Sequence, residues 1–285
     1  MKRLLLTGAS GFVGRNVLPV LREKGYDVIA PARSELNLLD ADAVCRYIKS
    51  GQFDAVLHLA SPTGHNPLDV PKELFERSVR IFLALTTCAD FYGKMIYIGS
   101  GAEYGKHRPL IQICEDSFGE ELPKDAYGLS RYVMNDLAKG YSNIINLRLF
   151  ACYGPGDPKH KLVPSVIEQA LKGNTVELRQ DCIFDYLFVA DIADVLTYFI
   201  EHNNMYKDYN ICSGNRIKIT TIAEEVCRQM GVDAVIICKK NGFNNEYTGS
   251  NARLLAEIPE WKPKSMKVSI TNILLSERIY ENWYL

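Results

Sequence analysis

Three glycines spaced Gly-x-x-Gly-x-x-Gly, at Gly8, Gly11 and Gly14, follow directly on an apolar run, Arg3–Thr7, and open a helix-patterned stretch, Phe12–Lys24. This placement constrains the fold more than any other feature of the chain. Glycine is needed where a strand turns sharply into a helix and where backbone must come close to a ligand or to a second strand. A helix opening on such a turn presents unpaired N–H groups and the positive end of its dipole, which suits a pyrophosphate. The turn therefore predicts a dinucleotide cradle formed by Gly8, Ser10, Gly11, Phe12, Val13 and Gly14.

The rest of the chain repeats the strand-then-helix rhythm. Asp27–Ala30, Asp54–Leu59, Met95–Gly99 and Ile144–Leu149 read as buried strands. Pro71–Tyr92 and Ala126–Lys139 read as amphipathic helices. The expected architecture is α/β, a Rossmann-type doubly wound parallel sheet with a smaller C-terminal substrate-binding lobe. Residues 1–160 form the dinucleotide-binding part, with a return of 180–215 to it, and residues 161–285 supply most of the lobe. Within the lobe, Leu162–Lys172 reads as a helix beginning near Pro164. Thr175–Arg179, Ile183–Phe188, Tyr209–Cys212 and Val235–Cys238 read as strands, and Ala190–His202 as a helix.

Bulk properties narrow the function. A formal net charge of −1, with no block of basic residues, disfavours a nucleic-acid or membrane-surface partner. No run approaches the roughly 18 apolar residues of a membrane span. The eight cysteines are scattered without metal-like spacing, so no metal site is expected, and they read as free thiols of a cytoplasmic protein.

The second strand bears on the cofactor. An acidic residue at its end would bind a ribose 2′-hydroxyl, but the chain reads Ile29-Ala30-Pro31-Ala32-Arg33-Ser34 there, with no carboxylate before Glu35. Arg33 and Ser34 suit a 2′-phosphate, which favours NADP(H) and leaves NAD(H) open. Asp40 could face the adenine edge.

With these residues in view, the sequence resembles the extended short-chain dehydrogenase/reductases that modify nucleotide sugars. The resemblance runs through TGASGFVG (7–14), SELNLLD (34–40), DAVLHLAS (54–61), YIGSGAEYG (97–105), YGLSR (127–131), LRLFACYGPGD (147–157) and FDYLFVADIAD (184–194). It implies Leu59, Ala60 and Ser61 beside the cofactor, and Ser100 polarising the reacting oxygen. It makes Tyr127 the acid/base, paired with a cation four residues on. A phenol titrates near pH 10, so a cation one helical turn away along the same face helps it release a proton. That cation is Arg131 where the family has Lys. Arginine keeps the charge, but its planar fork differs from an ammonium.

Other departures bear on the reaction. Gly101-Ala102 stands where dehydratases carry Asp-Glu, which argues against 4,6-dehydration. Ala102 replaces the Cys of carbon-acid epimerases, and Lys161, with His160 one place off, aligns with their His. Ala151 and Ser78 stand where Asn is usual. The resemblance thus implies NADPH-dependent reduction of a nucleotide-linked 4-ketosugar. An NAD-retaining 4-epimerase is the alternative, and a non-catalytic dinucleotide sensor or scaffold a third reading. Glu103, Tyr104, Lys161, Arg179 and Arg216 are weaker candidates for substrate contact. A homodimer through the helices at 71–92 and 126–139 is implied, and Trp283-Tyr284-Leu285 would close the lobe or the dimer.

Overall fold

The computed structural model describes residues 1–62 and 73–281. Six parallel strands form the main sheet: β1 (Arg3–Thr7), β2 (Asp27–Ile29), β3 (Ala55–His58), β4 (Lys94–Ser100), β6 (Ile144–Leu149) and β11 (Asp208–Ile211). Their order is β11-β6-β4-β3-β1-β2. The chain leaves β1 toward one edge, then returns to build toward the other, so the topological switch point lies between β1 and β3. Ligands of open parallel sheets bind beyond the carboxyl ends of the strands at that point.

Burial on both faces explains why the strands read as continuous apolar runs. Leu4, Leu6, Leu57, Ile96 and Leu147 face α1 (Phe12–Glu23) and α6 (Asp191–Glu201), packing on Val17, Leu21, Leu196 and Phe199. Leu5, Val56, Met95, Tyr97 and Ile144 face the opposite layer. There they meet Val44 and Ile48 of α2 (Ala41–Gly51), Phe82 and Leu85 of α3 (Leu74–Thr86), and Met134 and Ala138 of α4 (Ala126–Ala138).

Beyond β6 the chain builds a second core. Val163 and Val166 of α5 (Leu162–Lys172), Val176 and Leu178 of β8 (Thr175–Asp181), Ile222 and Val226 of α7 (Ile219–Met230) and Ile270 of α9 (Met266–Glu281) pack together. β8 pairs with β13 (Val235–Phe243), and β7 (Ala151–Tyr153) with β10 (Tyr186–Phe188). A small sheet of order β12-β9-β14-β5 joins Ile217–Lys218, Ile183–Phe184, Tyr247–Gly249 and Leu110–Ile113. The short helix α8 (Ala252–Glu257) follows it.

Strands β1 and β6 and helix α5 have the expected bounds, with Pro164 in the first turn of α5, where its missing N–H costs nothing. Ile183–Phe188, expected as one strand, is two strands in different sheets. The break is Asp185, fully buried, whose carboxylate accepts from Ser213 N (2.7 Å), Ser213 Oγ (2.8 Å) and Gly214 N (2.7 Å). The helix expected from Pro71 is α3 among the described residues, followed by a short 3-10 turn at Ala89–Phe91. Residues 71 and 72, and Trp283-Tyr284-Leu285, lie outside the described residues.

Candidate functional site

The switch point is built by the close approach of two backbones. Gly8 has φ +80°, and a Cβ there would lie 2.4 Å from Ala60 N, at the end of β3. A Cβ on Gly14 would lie 2.2 Å from Gly8 O, so helix α1 packs on the turn only because that position is bare. Gly11 N donates back to Gly8 O (3.0 Å). The start of α1 has neither a side-chain cap nor an acidic residue in its first turn, so nothing within it competes for an incoming anion. Ser10 and Gly11 are exposed, and Phe12 and Val13 half-buried.

Arg33 and Ser34 are exposed beyond β2. Glu35, the first carboxylate after that strand, accepts from Ala32 N (2.6 Å) and closes the turn on itself. Asp40 is the N-cap of α2 and accepts from Ala43 N (2.9 Å), so one of its oxygens belongs to the helix.

Arg131 does not face solvent. It is 4% exposed, and its Nη2 donates to Ser61 Oγ (2.7 Å), just beyond β3, while Nη1 reaches Ile98 O of β4 at 3.5 Å. Its Nε is buried and makes no hydrogen bond among the described residues. The guanidinium carbon lies 5.2 Å from the Tyr127 ring centroid, as two residues one helical turn apart on α4 should. Beneath it, His58 is buried and bonded to Thr7 Oγ1 through Nδ1 (2.8 Å). Burial, reinforced by Arg131, holds its pKa down to about 3, so the imidazole stays neutral. Leu59 and Ala60, half-buried, link this spot to the glycine turn. A bare glycine cradle and a buried unpartnered N–H at the same switch point fit a dinucleotide. Gly8 to Gly14 would take its pyrophosphate, and Arg131 a ribose oxygen.

Ser100 ends β4. Its Oγ accepts from Ala102 N (3.1 Å) and its N–H donates to Glu103 Oε1 (3.0 Å), so the tight turn Gly101–Tyr104 is capped reciprocally. Glu103 is fully buried and accepts from Arg148 Nε (2.6 Å) and Asn146 Nδ2 (3.0 Å). Arg148 also donates to Asp208 Oδ2 (2.6 Å). Tyr104 is buried, with its hydroxyl donating to Asn210 Oδ1 (2.8 Å). The expectation that Glu103 and Tyr104 contact substrate is therefore corrected: both are buried and bonded to protein groups, Glu103 to the Ser100 N–H and Tyr104 to Asn210.

Arg216 is likewise not a free fork. Its Nε and Nη2 each donate to Glu246 at 2.7 Å, which pins the strand Tyr247–Gly249. Lys161, His160 and Arg179 are exposed in the second core's outer layer. Ser78 bonds within its own helix to Leu74 O (2.7 Å), and Ala151 starts β7 half-buried.

Sequence reasoning missed two neighbours. Lys106 Nζ lies 6.0 Å from the Tyr127 ring centroid and 5.7 Å from that of Tyr247. Lys106 directly follows the Tyr-Gly pair, a signal that could have been read; nothing local marks Tyr247. Among the described residues there is no cluster able to hold a metal ion, no helix long and apolar enough to cross a membrane, and all eight cysteines are free thiols.

Asp157, in the loop after β7, gives a test of this region. That loop is tied to α1 by Asn16 Nδ2, which donates to Pro155 O (3.0 Å). Burial, opposed by Lys161, pushes the Asp157 carboxyl from 3.8 up to about 7. The native state then holds a proton that the unfolded state has lost, so this contribution is full below pH 3.8 and is lost as pH rises through about 7. Urea titrations should show wild type losing stability relative to Asp157→Asn across that window, by at most roughly 1.4 kcal/mol per pH unit. Parallel pH profiles would contradict the assignment.

Comparison with known proteins agrees with this fold. A 27% identical relative, the GDP-6-deoxy-D-mannose reductase of Pseudomonas aeruginosa, aligns over 96% of this chain and 96% of its own length. The structure of RMD from Pseudomonas aeruginosa complexed with NADPH superposes with a TM-score of 0.81 at 26% identity, covering 96% of this chain and 99% of that one. The GDP-L-fucose synthetase of Naegleria fowleri bound to NADP shares the fold, with a TM-score of 0.85 at 17% identity over 99% of this chain and 94% of that one. The family model for the NAD dependent epimerase/dehydratase family matches residues 4–212, from the first strand through β11. The chain belongs to the NAD dependent epimerase/dehydratase family, whose extended short-chain dehydrogenase/reductase architecture it carries throughout.

Proposed function

We propose that this protein is a reductase that uses NADPH to convert a nucleotide-linked 4-ketosugar to its alcohol. The observation that carries this reading is a continuous run of contacts. It goes from Gly8 to Ala60, through Ser61 to Arg131, and from Arg131 to Tyr127, with Ser100 at the end of the neighbouring strand β4. A reductase needs the phosphate cradle, the ribose contact and the proton donor in that order. The family membership and the reductase among its relatives support the reaction class.

When bound, NADPH supplies the hydride. Tyr127 gives its phenolic proton to the oxygen that becomes the alcohol, and the Ser100 side hydrogen-bonds the same oxygen. Arg131 would hold a ribose hydroxyl through Nε and keeps positive charge beside the Tyr127 ring. The Glu103–Arg148 pair keeps Ser100 in place. The choice of NADP(H) over NAD(H) rests on Arg33 and Ser34 standing exposed where a 2′-phosphate would sit, and on Glu35 being tied to Ala32 N. Lys161 and Arg179 remain candidates for the substrate diphosphate. A homodimer through α3 and α4 belongs to the same proposal, since Leu83 and Leu137 are exposed on those helices, as does a reducing, cytoplasmic setting.

Thermal unfolding tests the cofactor. At a hundred times its dissociation constant NADPH should stabilise the protein by about 2.7 kcal/mol, well beyond NADH at equal concentration, and Arg33→Ala should erase that difference. Tightly retained NAD, or a shift with NADH alone, would replace the reductase by the NAD-retaining 4-epimerase.

Tyr127→Phe should lower turnover of a nucleotide-linked 4-ketosugar at least about 10²-fold, with the NADPH-induced thermal shift kept. Wild-type turnover in that variant would remove Tyr127 from the mechanism.

A further inference from the structure

Tyr247, from the second half of the chain, reaches the turn that follows Ser100. Its ring is 8% exposed and lies 5.0 Å from that of Phe150 and 5.5 Å from that of Phe184. The strand that carries it is held on both sides. Asp185 N donates to Tyr247 O (3.1 Å), Leu110 N to Glu246 O (2.8 Å) and Gln112 N to Thr248 Oγ1 (2.8 Å). Ring and backbone thus fix where the phenol points.

Its hydroxyl lies beside the Ser100 side chain, close enough to interact with it. It also stands 2.6 Å from where a Cβ on Gly101 would be. A side chain at position 101 would collide with it and with the Phe150 ring, 2.8 Å away, so the bare residue after Ser100 leaves room for both. Lys106 Nζ lies 6.0 Å from the Tyr127 ring centroid and 5.7 Å from that of Tyr247, so one cation neighbours both phenols.

We propose that Tyr247 is a positioning residue of the reaction centre, its hydroxyl paired with that of Ser100 so that the pair presents one O–H to the sugar oxygen that interconverts between carbonyl and alcohol. This rests on the reductase reading for the identity of that oxygen. The hydrogen inventory supports it. Ser100 Oγ already accepts the Ala102 N–H, and a Ser and a Tyr hydroxyl carry two protons between them. One is used within the pair, and one is left to point onward. Burial raises the Tyr247 pKa far above its ordinary value, so the phenol remains a donor and does not compete with Tyr127 as the group that releases a proton.

Tyr247→Phe removes the hydroxyl and keeps the ring packing, so the thermal midpoint should hold. With saturating NADPH and a GDP-linked 6-deoxy-4-ketohexose as probe, kcat should fall about 10²-fold while KM changes less than about threefold. In a Ser100→Ala background the same change should cost less than about threefold, because the pair is already broken; independent structural damage would add in full. Calorimetry on NADP-loaded protein, comparing GDP with GDP-6-deoxy-D-mannose, reads the sugar contact without turnover. The preference for the sugar nucleotide should shrink about tenfold in Tyr247→Phe, the worth of one hydrogen bond. If wild type transfers no hydride yet loses this preference on substitution, the reductase reading fails and the placement of Tyr247 stands. Wild-type kcat with an unchanged preference in Tyr247→Phe overturns the proposal.

Discussion

The site depends on one buried guanidinium. Removing a cation from water is costly unless its donors are met, and among the described residues no carboxylate pairs with Arg131. Ser61 and the Ile98 carbonyl take two of its nitrogens. These partners belong to the ends of β3 and β4, so the residue that satisfies the charge also fixes α4 against the sheet, and with it Tyr127. The same end of β3 meets Gly8. The glycine turn, the Arg131 guanidinium and the Tyr127 phenol are therefore placed by a single set of contacts, in which Nε is the donor left over. A lysine at this position would offer one ammonium where Arg131 spans two strands, which is why the substitution of the family cation alters the site's construction as well as its chemistry.

A second buried charge supports the other side. Arg148 and Glu103 lie wholly out of water, 2.6 Å apart, and Glu103 also accepts the Ser100 N–H. Breaking such a pair leaves one charge unmet, which typically costs about 3–5 kcal/mol. Here that penalty would fall on the turn that aims Ser100. Asp208 and Arg253 extend the network toward the start of β11, with Arg253 Nη1 2.7 Å from Asp208 Oδ1. The serine is thus held by charges buried out of water behind it.

Much of this was legible in the residues. Local chemistry set the glycine turn, the apolar strands β1 and β6, and the helical pair Tyr127 and Arg131, because each depends on neighbours within one turn or one strand. What required the tertiary structure was burial. Glu103 and Tyr104 read as substrate contacts from their place beside Ser100, yet their partners Arg148 and Asn210 come from other strands. Asp185 looked like part of a continuous strand until Ser213 and Gly214 were seen to claim its carboxylate. Asp40, read for the adenine edge, also caps α2 through one oxygen, a role that its spacing to Val44 and Ile48 already marked. Tyr247 carries no local signature at all; only the sheet that joins it to Leu110 brings it to Ser100.

The most direct measurement is a crystal structure of the NADPH complex, reading the distance from Arg131 Nε to the nearest ribose hydroxyl. The account predicts a hydrogen bond, within about 3.2 Å, with the Ser61 bond kept and the pyrophosphate on the Gly8–Gly14 turn. A ribose held by other groups, with Nε still unpartnered or Arg131 swung away from Ser61, would contradict it.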